Sequence, residues 1–76
     1  MNKQRRKQLT QILDALTETR ESLDELHTEE QDAYDNMPEG LQESERGQAI
    51  SETAGDLENA VNELDSIIDT LTDHTD

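Results

Sequence analysis

On either side of the segment Asp35-Asn-Met-Pro-Glu-Gly-Leu-Gln42, apolar residues recur at alternating steps of three and four. The first stripe runs Leu9, Ile12, Leu16, Leu23, Leu26, Ala33, Met37, with Thr19 and Glu30 as its polar members. The second runs unbroken through Ile50, Ala54, Leu57, Val61, Leu64, Ile68 and Leu71. Such spacing is that of helices burying one narrow face. Pro38 disfavours a helical Met37 and removes a backbone donor, so the first helix is expected at about 4–35. A turn over 36–43 follows, in which Pro38 can open a short helical turn through Gln42. Ser44 is placed to cap a second long helix at about 44–73. Folded back at this turn, the stripes meet at positions whose numbers sum to about 83 or 84, so Leu26 faces Leu57, Leu23 faces Val61 and Leu16 faces Ile68. The sequence therefore predicts one all-α unit over residues 1–76, an antiparallel, coiled-coil-like two-helix hairpin. Its core is Leu16, Leu23, Leu26, Leu57, Val61, Leu64 and Ile68.

Composition alone points the other way. Leu, Ile and Val supply 14 of 76 residues, there is no Phe, and the formal charge is -14, values typical of disorder. Two phased stripes outweigh that signal, but a lone hairpin of this length has little core. Leu13, Ile67 and Tyr34 lie beside the expected seam and widen the apolar face. Assembly into a helical bundle as a homo-oligomer is therefore expected to cover them. Cysteine is absent and no apolar run exceeds two residues, so neither disulfides, signal peptide nor membrane span is expected.

Charge is unevenly distributed. Lys3, Arg5, Arg6 and Lys7 hold four of the six basic residues, leaving Arg20 and Arg46 against twenty acids in residues 8–76, a net charge of -18. That body repels nucleic acid and anionic membrane and attracts basic protein surfaces. The hairpin brings the basic arm beside Asp69, Asp73 and Asp76, where the clusters partly neutralise one another; a nucleic-acid contact and a frayed terminus are the other readings of the arm. Along the first helix, Glu18, Glu21, Glu25, Glu29 and Asp32 recur at one-turn spacing, a ladder of negative charge repeating about every 5 Å. It is either a solvated face that prevents aggregation or a mimic of nucleic-acid phosphates that occupies a basic groove.

Catalytic chemistry finds no support in the residues. Asp24-x-x-His27 has the spacing of a carboxylate-bridged metal site, but the facing stripe supplies no further ligands, and His27 reads as an exposed surface histidine. Asp32 to Glu43 begins and ends like a calcium loop, yet Met37 stands where the sharp turn needs glycine. No serine or threonine has a nearby histidine base, and Gly40, Gly47 and Gly55 form no phosphate-binding loop. No enzyme activity, metal or cofactor is expected. The turn itself is richer than reversal requires: Tyr34, Asp35, Asn36, Met37, Pro38, Leu41, Ser44 and Arg46 combine apolar and polar groups. It reads either as a plug closing the bundle end, with Arg46 pairing Glu43 or Asp35, or as a recognition tip.

The segment Glu29–Gly47, EEQDAYDNMPEGLQESERG, preceded by the start MNKQRRK, resembles a group of small acidic helical proteins of bacteriophages, prophages and plasmids. The likeness spans nearly the whole chain, and Tyr34 through Gly47 is its most specific part. Gly40 departs from the pattern, in which a polar residue such as serine or asparagine is expected. No activity comes with the resemblance. It implies a bacterial cytoplasm and a non-enzymatic protein acting on host or phage machinery. Two functions then compete: inhibition of a nucleic-acid-handling or defence protein by nucleic-acid mimicry, or a scaffold-like assembly role.

Overall fold

A computed structural model describes residues 1–75. Three helices follow in order, α1 at Lys3–Asp35, α2 at Glu39–Gln42 and α3 at Glu45–Thr72, with no strand among the described residues. α1 and α3 pack antiparallel along their lengths, giving an all-α hairpin of 58 × 15 × 13 Å.

Each boundary has a local cause. Asn2 caps α1, its side-chain oxygen accepting from the backbone N–H of Arg5 at 2.8 Å. α1 closes where the N–H of Asn36 donates to the Asp32 carbonyl and that of Met37 to the Tyr34 carbonyl. Pro38 then starts α2, its carbonyl accepting from the N–H groups of Leu41 and Gln42. Gln42 reaches back to donate from Nε2 to the Tyr34 carbonyl at 2.9 Å, tying α2 to the end of α1. Ser44 caps α3 by accepting from the Gly47 N–H at 3.2 Å, while its hydroxyl donates to the Leu41 carbonyl. Gly47 is buried beneath α2, and a Cβ there would lie 2.3 Å from the Leu41 oxygen and 2.4 Å from the Gln42 oxygen. The turn is thus closed by backbone laid against backbone. Gly40 has open space around it, room for the polar side chain expected there.

The seam on α3 follows the expected stripe: Ala54 and Val61 are buried, and Ile50, Leu57, Leu64, Ile68 and Leu71 are half-buried. On α1 the helix is rotated from the expected phase. The residues turned inward are Leu9, Leu13, Leu16, Arg20, Leu23, His27, Glu30, Tyr34 and Met37, again at alternating steps of four and three. Leu13, expected beside the seam, is buried, and Tyr34 is half-buried. Leu26, expected in the core, is instead 48% exposed, and Ile12 is 53% exposed, with Ala33 and Thr19 exposed as well. Leu13 and Tyr34 supply apolar bulk on the 13/20/27/34 row, and Arg20 between them reaches α3: its guanidinium forms a two-point pair with Asp65, Nε to Oδ1 at 2.8 Å and Nη2 to Oδ2 at 3.2 Å. Its aliphatic stem covers the seam while its charged end stays at the rim. His27 turns with that row and is half-buried, not an exposed surface residue.

Candidate functional site

Rotation of α1 gives the rod three distinct sides. Behind the seam, on the outer surface of α1, Glu18, Glu21, Glu25, Glu29 and Asp32 are all exposed. None of these five carboxylates takes part in an ion pair or hydrogen bond among the described residues. Steps of three and four residues space them about 4.5–6 Å apart along the axis. A second row, not singled out by the sequence, lies on the outer surface of α3, where Glu45, Glu52, Asp56, Glu63 and Asp69 are also exposed, followed by Asp73 just past its end. Its signal was available: these acids avoid every position of the second stripe.

Along one edge of the seam lies a polar cluster. Arg20 is held by Asp65 and also stands 3.8 Å from Asp24, whose other oxygen is 3.8 Å from His27 Nδ1. The hydrogen bond from Asp65 holds the Arg20 guanidinium still more firmly protonated than usual, against a smaller opposing effect of desolvation. This cluster fixes register, since Arg20 and Asp65 are 45 residues apart in sequence and meet across the hairpin. It offers no catalytic base beside a nucleophile, and among the described residues no group of three or more His, Cys, Asp or Glu is placed to hold a metal ion.

The opposite edge is uncharged over most of its length. Ile12, Thr19, Leu26 and Ala33 of α1 lie one position before the seam, as do Thr53, Ala60 and Ile67 of α3. In an antiparallel pair these two flanks fall on the same side. Near the turn this edge opens into a groove of about 340 Å³ lined by Ala33, Met37, Leu41, Ser44, Arg46 and Ile50. Leu41, expected to help close the bundle end, stands 53% exposed on its lip, because α2 points the short segment outward over Gly47. Arg46 is exposed and pairs with neither Glu43 nor Asp35. Asp35 instead accepts from Gln31 Nε2 at 3.1 Å, and Pro38 and Asn36 are exposed.

At the far end, the antiparallel arrangement places the basic arm at the same end of the rod as Asp69 and Asp73. No direct ion pair joins Lys3, Arg5 or Lys7 to either acid among the described residues. Asp76, the third expected partner, lies outside the described residues. Among the described residues, no helix is long and apolar enough to cross a membrane. Compared with known proteins, the chain matches no family model, no curated protein and no solved structure.

Proposed function

We propose that this chain is a non-enzymatic acidic binding protein that seats on the basic surface of a protein handling nucleic acid, its carboxylates standing where phosphates would lie. The observation that carries the reading is the outward ladder Glu18, Glu21, Glu25, Glu29 and Asp32, exposed on one helix and, among the described residues, in no hydrogen bond or ion pair, with only Glu21 close enough to Arg20 to add to its field. A carboxylate already paired within its own fold has little to offer a guanidinium; these are available. Their spacing of about one helical turn is comparable to the per-strand phosphate repeat within a factor of two, 3.4 Å against about 5.4 Å. Complementary charge of this kind accelerates encounter and selects basic partners. The likeness of the arm and turn to proteins of phages, prophages and plasmids favours a partner in host or phage machinery, a defence protein included, and a place in the bacterial cytoplasm.

The test is reversal of charge away from the seam. Glu18→Lys with Glu21→Lys and Glu25→Lys is expected to leave helicity intact and abolish capture of a basic protein from bacterial lysate. Duplex DNA should displace that protein from the unaltered chain, and salt should weaken the complex. Capture that survives the reversal and resists DNA would reduce the acidic rows to a solvated coat.

A further inference from the structure

Among the described residues the uncharged edge is covered by nothing else in the hairpin, and the charge around it selects an occupant. A compact monomer of this mass exposes about 4,700 Å², whereas this chain exposes 5756 Å². The excess of about 1,000 Å², spread over the whole 58 × 15 × 13 Å rod, is area enough for one standard-size interface, which covers roughly 800 Å² on each partner. Charge then selects the occupant. Two chains of charge -14 repel wherever carboxylates face each other, and both outer surfaces carry such rows. The edge holding Ile12, Thr19, Leu26, Ala60 and Ile67 has none.

We infer that this edge is the interface with a second copy of the chain, packed antiparallel as a four-helix bundle with its dyad near the middle of the rod. The ends fix the direction. One end carries Lys3, Arg5 and Lys7 beside Asp69 and Asp73; these three bases oppose the dipole of α1 and make no ion pair among the described residues. The other end carries Asp32, Asp35, Glu39, Glu43 and Glu45, with Arg46 as its base. An antiparallel partner sets the mixed end of each copy, with its bases, over the acidic turn of the other, whereas a parallel partner stacks acidic turn on acidic turn. Shape agrees with this direction. With the dyad by Ser22, exposed Ile12 of each copy lies against the groove beside Ala33 and Met37 of the other, and exposed Leu26 lies against exposed Ile67. Ala33 and Thr19, too small to fill the edge alone, leave space for those larger side chains. The inference is independent of what the acidic rows bind.

The chain has no cysteine, so single cysteines report the pairing directly. Ile12→Cys and Ala33→Cys both replace exposed residues and leave the seam untouched. Under limiting oxidant, a mixture of the two variants is expected to give the mixed disulfide in preference to either self-paired product. Sedimentation of the unaltered chain should report twice 8.6 kDa. Leu26→Glu with Ile67→Glu should shift that mass toward a single chain, raising the dimer dissociation constant at least tenfold. If this variant unfolds, the disulfide preference still decides. A single-chain mass with helicity intact across the concentration range overturns the proposal. So does a mass above two copies, or self-pairing at Ile12 without the mixed product.

Discussion

At Gly47 the fold has no room for a side chain. The Leu41 and Gln42 carbonyl oxygens lie well inside van der Waals distance of where a Cβ would stand, and both belong to backbone that the Ser44 cap and the Gln42 bond to Tyr34 hold in place. Gly47→Ala is expected to cost roughly 2 kcal/mol or more, the penalty of overpacking with little freedom to relax. Gly55 makes the opposite case within the same helix, since a Cβ there meets nothing within 4 Å. Gly55→Ala should stabilise the chain by about 1 kcal/mol through helix propensity and a less free unfolded state. Urea unfolding of the two variants beside the unaltered chain checks both signs at once. In the sequence these glycines bear only on a phosphate loop; that Gly47 is a contact between α2 and α3 depends on how tightly the chain reverses between Leu41 and Gly47, which residue spacing does not encode.

At the level of elements, α3 was legible and α1 only half so, for a reason that can be located. The stripe of α3 is apolar at every step from Ile50 to Leu71, while its flanks offer only Ala60 and Ile67, so its apolar period has one phase. α1 has three candidate rows: 9/16/23/30/37, flanked by 12/19/26/33 on one side and 13/20/27/34 on the other. Hydrophobicity prefers the row with Ile12, Leu26 and Ala33 over the one with Arg20 and His27. The structure chooses the latter because Leu13 and Tyr34 supply bulk at its ends and Asp65 receives Arg20 between them. Register is therefore expected to depend on that pair: Asp65→Arg alone should lower the melting temperature, and Asp65→Arg with Arg20→Asp should recover much of the loss. A swap that recovers nothing would show that the aliphatic seam sets the phase unaided. The turn divides in the same way. Met37 is half-buried and Leu41 exposed, so Met37→Ala should lower stability by about 1–2 kcal/mol, below the full cost of a buried site. Leu41→Ala should stay within about 0.5 kcal/mol, as surface changes do. Loss of partner binding by Leu41→Ala at unchanged melting temperature would mark the turn as a recognition tip.

The whole molecule is a thin rod whose charge works against its own folding. Spread over 58 Å, a charge of -14 amounts to about one per 4 Å of axis, about two fifths of the linear density of duplex DNA at one per 1.7 Å. Side-by-side pairing of two copies would bring the density to about one per 2 Å, so the proposed dimer and the proposed mimicry reinforce each other: the paired rod is the better imitation of a duplex. The same pairing gathers twice the charge into one body. Repulsion acts across the rod's width, while the attractive Arg20–Asp65 contact is short and bidentate, and screening weakens the former far more than the latter. Raising sodium chloride from about 0.01 M to about 0.15 M contracts the Debye length from about 30 Å to about 8 Å. Melting temperature and dimer fraction should both rise over that interval, while affinity for a basic partner falls, since the interaction with that partner is itself the long-range attraction being screened. Circular dichroism melts, sedimentation and binding measured on one salt series give the three signs together. A melting temperature that falls steadily instead would mean that attraction between the basic arm and the acidic tail outweighs repulsion along the rod.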